Sequence, residues 1–324
     1  MIGWLVRRLS QSLLVVLLMT LVVFIGLNAI GNPMDILVGE DLNQSERLAA
    51  IAHLGLDKPL WQQYLLFLQG AVYGNLGQSF VYHEDAMRLI VQRLPATFEL
   101  AFSAMLLAVV LGVPLGMFAG TYPDHPLSRL LMATSIIGFS LPAFWVALMM
   151  IMLFSIKLGW LPASGRGATR ELFGVQWSFL TLDGLQHLIL PALNLALFKI
   201  SLVLRLTRAG VREVLPQEYV KFARAKGLSP IRVMCMHVMR NTMIPLVTVL
   251  AMELGSTIAY AVVTESIFAW PGAGKLILDS INMLDRPVVV AYLMVVVVIF
   301  VVINLIVDGL YYFLDPRVRV EVKP

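Results

Sequence analysis

Cysteine and charge are what this sequence has least of. Its 324 residues include one cysteine, Cys235, and only 14% are charged. A single cysteine excludes an intrachain disulfide and any cysteine-built metal cluster. A phosphate-cradling GxxxxGK[ST] loop is also missing. The nearest approach, WPGAGK at Trp270–Lys275, has the wrong spacing, and Leu276 stands where Ser or Thr would be needed. HExxH and GxSxG are absent, and Gly138-Phe139-Ser140-Leu141 lacks the second glycine of a nucleophile elbow. His53, His83, His125, His187 and His237 stand at no metal-ligand spacing. The expectation is a chain with no catalytic residues, no metal site and no cofactor of its own.

What is abundant is apolar sequence. Hydrophobic residues make up 59% of the chain, and the mean hydropathy is +0.83. Soluble domains hold roughly 45–50% apolar and 25% charged residues. The chain therefore reads as a polytopic membrane protein. Its net charge of +4 is explained by basic loops beside membrane spans, so nucleic acid is not an expected partner, whereas membrane lipid is.

Six apolar runs approach the roughly 20 residues that a span requires. They are Leu9–Ile30, Thr97–Ala119, Leu130–Ile156, Leu188–Leu206, Ile244–Val263 and Val288–Phe313. The first follows Arg7 and Arg8 as a signal peptide would, but it exceeds the usual core of roughly 7–15 residues and is expected to be retained. Gly112, Gly116 and Gly120 form two overlapping GxxxG steps in the second run. Small residues on one face let membrane helices approach closely, although a hinge at Pro114 is an alternative. Pro142 interrupts the third run.

Between spans, Gly31–Leu94 is expected to be an ordered extramembrane segment. Its helices run from Asn43 or Ser45 to Gly55 and from Pro59 to about Tyr73. Lys157–Gln186 and Thr264–Pro287 read as loops. With the N-terminus inside, cytoplasmic segments carry fourteen Lys+Arg and the opposite side nine, or five once the long Gly31–Leu94 segment is dropped. Both termini are therefore expected in the cytoplasm.

The segment Arg205–Pro245 holds 8 of the 24 basic residues. Within it, Tyr219, Phe222 and Ala223 fall at i, i+3, i+4, and Gly227 suits a C-terminal cap. A helix this short is marginal in water and needs something to pack on, either lipid headgroups or a protein groove. Inside the spans stand Lys199 and Glu253. Such charges are costly. They are expected either to face a translocation path or to pair with each other. Alternatively, Lys199 snorkels and Glu253 satisfies a neighbouring helix.

The Gln217–Gly227 segment resembles the EAA loop of ABC-transporter permeases, whose short coupling helix sits in a cleft of the ATPase. With the glycine at Gly227, Lys221-Phe222-Ala223 lies over Glu-Ala-Ala, and Met239-Arg240 lies over Leu-Pro. The rest of the chain is similar, in order, to permeases of the dipeptide/oligopeptide/nickel importers. The similarity is carried by Leu54-Gly55-Leu56-Asp57-Lys58-Pro59, Gly74-Asn75-Leu76-Gly77-Gln78-Ser79 and Pro95-Ala96-Thr97-Phe98-Glu99-Leu100. It continues through Leu161-Pro162-Ala163-Ser164-Gly165, Ala223-Arg224-Ala225-Lys226-Gly227-Leu228, Thr264-Glu265-Ser266-Ile267-Phe268-Ala269-Trp270-Pro271-Gly272 and Asp315-Pro316-Arg317.

This resemblance implies an all-α, six-span bacterial inner-membrane permease. It would have an extracytoplasmic helical segment after the first span and a cytoplasmic coupling helix between spans four and five. Its parts would be residues 1–93, a permease core over 94–313 and a tail over 314–324. Implied partners are a second homologous permease, two ATPase subunits that carry ATP and Mg, and an extracytoplasmic solute-binding protein. The resemblance assigns coupling to Glu218, Tyr219, Phe222, Ala223, Ala225, Lys226 and Gly227, and binding-protein docking to Glu265, Trp270, Pro271 and Gly272. Short peptides are the leading solute class, ahead of nickel or metal chelates and glutathione. An ion-coupled secondary transporter is the rival class, resting on Lys199 and Glu253 alone.

Overall fold

A computed structural model describes residues 2–29 and 58–314. The expected helix from Asn43 or Ser45 to Gly55 lies outside them, as does Asp315-Pro316-Arg317. The regular elements of the described residues are helices and one two-stranded hairpin. Among the described residues, five helices are long and apolar enough to cross a membrane, and a sharply bent pair makes a sixth crossing if it counts as one span.

Close contacts divide the chain into two compact units. The first holds residues 1–92 and 277–302. In it, helix α1 (Ile2–Ala29) meets α2 (Leu60–Val72), where Thr20 Oγ1 and Tyr64 Oη are 2.8 Å apart and the Phe24 and Tyr64 rings stand at 5.4 Å. Pro59 immediately precedes α2, as its fixed φ favours. The turn after α2 uses Gly74 and Gly77, both at positive φ, where glycine has no Cβ penalty. Beyond it, Ser79 Oγ donates to Asp285 Oδ2 at 2.5 Å, and Phe80 N–H donates to Oδ1 at 3.2 Å.

The second unit holds residues 93–276 and 303–324. Helix α3 (Ala86–Thr121) runs unbroken through Pro95 and Pro114. At 36 residues it measures roughly 54 Å, well beyond the roughly 30 Å hydrocarbon layer. Helix α4 (Pro126–Ser140) is capped by His125, whose Nδ1 accepts from Leu127 N–H at 3.1 Å. It stops at Leu141, which is extended because a proline follows. Helix α5 (Ala143–Met150) then starts at a 108° bend and continues as a π-helix over Ile151–Lys157.

Two expected loops are corrected, and the basic segment between them is more helical than expected. Lys157–Gln186 contains the hairpin β1 (Arg170–Leu172) and β2 (Val175–Trp177), so the chain is not purely helical. Phe173 and Gly174, both at positive φ, make its two-residue turn. The basic Arg205–Pro245 segment is helix for most of its length. Helix α6 (Leu182–Val214) carries Arg205, Arg208 and Arg212 on its own extension, α7 spans Glu218–Ala225, and a helical turn from Pro230 leads through a π-segment into α8 (Met239–Ile267). Helix α9 (Ala273–Asn282) occupies the middle of Thr264–Pro287, ahead of α10 (Arg286–Leu314). Polar sequence ends a hydropathic run without ending the hydrogen bonding of the helix, so spans outlast their apolar cores.

The GxxxG stripe packs α3 on α6. A Cβ on Gly112 or Gly120 would stand 2.8 Å from Val203 or Val211, and one on Gly116 would stand 2.6 Å from Leu204 O and Thr207 Cβ. Since α3 is unbroken at Pro114 and the glycines meet α6 directly, close packing is the reading the structure supports. Gly116→Val is expected to lower stability in detergent by about 1–3 kcal/mol through overpacking. Gly26→Ala, with nothing within 4 Å of the new methyl, is expected to leave it unchanged; thermal unfolding of both variants checks this.

Candidate functional site

Helix α7 is small and two-faced. Gly227, at φ +77°, ends it: Gly227 N–H donates to Arg224 O at 2.9 Å and Leu228 N–H to Ala223 O at 3.4 Å. These two bonds make a Schellman cap. Val220 and Ala223 are buried against Val211, Val233, Val238 and Met239. Tyr219 and Phe222 point outward, 42% and 62% exposed. Sequence spacing grouped Ala223 with the two aromatics, but the structure turns it inward and pairs it with Val220. That anchor was visible as a second apolar i, i+3 pair, though it falls outside the aromatic stripe. Lys226 Nζ lies 4.6 Å from the Phe222 ring centroid, and Tyr219 Oη bonds Asn241 Nδ2 at 2.5 Å. Glu218 pairs with Lys221 at 2.8 Å, and Ala225 is exposed. The whole forms a knob on a seat supplied by α6, the π-segment and the start of α8.

Lys199 and Glu253 meet. Lys199 Nζ donates to Glu253 Oε2, and to Ser256 Oγ at 2.9 Å. Lys199 sits one residue past the middle of α6 and Glu253 at the middle of α8. With Lys199 only 4% exposed, snorkelling is excluded in this structure. The pair lines a cavity of about 680 Å³.

Two further carboxylates organise this unit. Glu99 lies inside the expected second span, yet it escaped the short count of membrane charges. It is fully enclosed by donors. Arg166 Nε and Nη2 reach Oε2 at 3.1 and 2.6 Å, while Ser178 N–H and Phe179 N–H reach Oε1 at 2.6 and 3.0 Å. Arg166 also donates to Gln176 O at 2.6 Å. One buried ion pair thus clamps the β1–β2 hairpin to α3.

Glu265 accepts from Thr97 Oγ1 at 2.6 Å and from Lys275 N–H at 2.8 Å, and Thr97 Oγ1 accepts from Ala273 N–H at 2.9 Å. Trp270 Nε1 donates to Ala96 O at 2.9 Å. Gly272 packs directly on the Glu265 carboxylate, leaving no room for a Cβ. Both Glu265 and Trp270 are 0% exposed, Gly272 is buried, and Pro271 is half-buried. As a docking surface, Glu265, Trp270 and Gly272 are therefore corrected: they lock the α8–α9 turn onto α3 from within.

Thr97→Val keeps the shape but removes the link between Glu265 and Ala273. Leaving buried polar groups unmet is expected to cost about 1–3 kcal/mol, read as a lower unfolding temperature, with Thr97→Ser restoring most of it.

Two known family profiles match the chain. "Binding-protein-dependent transport system inner membrane component" covers residues 112–320, and "Binding-prot-dependent transport system membrane comp, N-term" covers residues 1–101. The di/tripeptide transport system permease protein of Pseudomonas aeruginosa (strain UCBPP-PA14) is 38% identical over 335 residues, spanning 98% of this chain and 99% of that protein. The oligopeptide transport system permease protein of Bacillus subtilis (strain 168) is 36% identical over 321 residues, spanning 98% of this chain and all of that one. A methionine ABC transporter solved in an inward-facing conformation shares the fold, with a TM-score of 0.56 at 17% identity, over 71% of this chain and 97% of that one. With profiles over both halves and full-length relatives, this chain belongs to the binding-protein-dependent inner membrane components, the permease subunits of ABC importers.

Proposed function

We propose that this permease imports short peptides and works beside a second homologous permease, two ATPase subunits that bind ATP and Mg, and an extracytoplasmic binding protein. The peptide assignment leans on full-length relatives named for di/tripeptide and oligopeptide transport. Residues 94–313 form the permease core, with both termini in the cytoplasm. Glu218, Tyr219, Phe222, Ala223, Ala225, Lys226 and Gly227 form the element that couples to an ATPase.

The observation that carries the coupling role is the division of α7 into two faces. Its buried side, Val220 and Ala223, rests on α6 and on the π-segment that leads into α8, and its free side offers Tyr219 and Phe222. Large aromatics on a rigid support are the usual energetic anchors of an interface. A groove on the partner that takes Phe222 would pass its motion straight into α6 and α8.

Phe222→Asp is expected to leave insertion intact and to cut binding-protein-stimulated ATP hydrolysis about tenfold or more. Unchanged stimulation in the reconstituted importer would remove α7 from the coupling role. Orientation has its own probe, because Cys235 is unique and exposed. A membrane-impermeant maleimide is expected to label it in inverted vesicles and not in intact spheroplasts. The opposite labelling would reverse the topology.

A further inference from the structure

We infer that the cavity beside Lys199 and Glu253 is a solute subsite for a zwitterion, taking the α-carboxylate of a short peptide on Lys199 and its α-ammonium on Glu253. This rests on the peptide-importer reading and adds to it a place, a chemistry and a polarity of binding.

The two charges are placed unequally toward the cavity. The Lys199 side chain is 5% exposed and that of Glu253 27%. Lys199 Nζ spends two donors on Glu253 and Ser256. An ammonium has three, so only the Phe198 ring, 5.5 Å from Nζ, competes with an incoming carboxylate for the third. In the same wall, Asn194 is 4% exposed, and its Oδ1 is buried without a hydrogen-bond partner. Its amide nitrogen donates to Thr264 Oγ1 at 3.2 Å, which fixes the side chain. A buried acceptor left unmet is costly.

The remaining walls include Phe144, Phe198 and Tyr260. Aromatic faces accept varied side chains, as an importer of mixed peptides requires. The volume of about 680 Å³ lies within the roughly 300–1,000 Å³ typical of small-molecule sites.

Charge balance selects the ligand class. When empty, the pair neutralises itself, so no lone charge stands in the membrane. A singly charged ligand would take one partner and strand the other in apolar surroundings, which is strongly unfavourable. A neutral solute gains nothing from opening the pair. A zwitterion replaces the internal contact with two matched ones and leaves the site neutral.

The test uses the intact importer, with all subunits and its binding protein, in liposomes. A photoreactive benzoylphenylalanine at position 260 is irradiated with radiolabelled dialanine during turnover. The expected result is labelling of this chain, competed by unlabelled dialanine and not by N-acetyl-dialanine amide. Glu253→Gln is expected to lower capture about tenfold, the loss of one charged contact worth roughly 1.4 kcal/mol.

Because that variant strands Lys199, the double variant Lys199→Met/Glu253→Leu removes both charges together. It is expected to assemble with its partners by size exclusion and still lose capture by about tenfold or more. Undiminished capture in an assembled double variant, equal competition by the capped peptide, or capture of phospholipid alone would overturn the inference. No capture alongside normal dialanine uptake would also overturn it and leave the importer reading standing. No dialanine uptake by the unmodified importer would overturn both.

Discussion

A carboxylate buried away from water must find its donors within the protein. Much of the second unit is organised by how three glutamates meet that demand. Glu99 is enclosed by Arg166 and two backbone N–H groups, and this binds the hairpin to α3. Glu265 takes Thr97 and the Lys275 amide, fixing the α8–α9 turn on the same stretch of α3. Glu253 takes Lys199, which ties α6 to α8. The first two are closed systems with nothing left to offer. The third is one-sided: Glu253 keeps 27% of its side chain exposed beside a cavity. That difference separates a structural lock from a candidate contact site, although all three look alike as buried acids.

The same helices connect the two proposed working points. Val211, which seats α7 through Val220, lies twelve residues along α6 from Lys199, or roughly 18 Å at 1.5 Å per residue. No proline intervenes, since Pro191 lies before Lys199. In the proposed importer, a displacement of α7 would travel as a rigid-body movement of α6. Opening of the Lys199–Glu253 pair would follow from any shear of α6 against α8. The glycine stripe that brings α3 against α6 keeps that lever supported over Val203–Val211.

Much of this was legible in the sequence and some was not. The spans showed because hydropathy is a property of composition. Their ends did not show, because α6 carries Arg205, Arg208 and Arg212 in unbroken helix. Pro142 was legible as a break because it forces Leu141 out of the helical region. The hairpin was not, since strands of three residues have too little alternation to read, and Phe173-Gly174 is not a typical hairpin turn pair. Gly227 was readable as a helix stop. The Val220–Ala223 pair was there to be read as well, as a second apolar i, i+3 pair, but the two exposed aromatics dominated the pattern. Lys199 and Glu253 stood out as charges within spans. Their meeting depends on how α6 and α8 are rotated, which no single helix encodes.

The burial of Glu265 and Trp270 changes how the Thr264–Gly272 segment should be understood. A binding protein cannot touch side chains with no exposed surface. What the segment does offer is shape: Trp270 bonded to Ala96, Gly272 against the Glu265 carboxylate, and Phe268 O accepting from Gly165 N–H at 2.8 Å. The last of these bonds ties the 161–165 stretch to the same turn. Three stretches that carry the family resemblance, 95–100, 161–165 and 264–272, thus meet at one turn. Their shared pattern reflects mutual packing and hydrogen bonding, so motif strength here measures the constraint of the fold. Selectivity must then be sought where the chain is polar and incompletely satisfied within its spans, as at Asn194 and the Lys199–Glu253 pair.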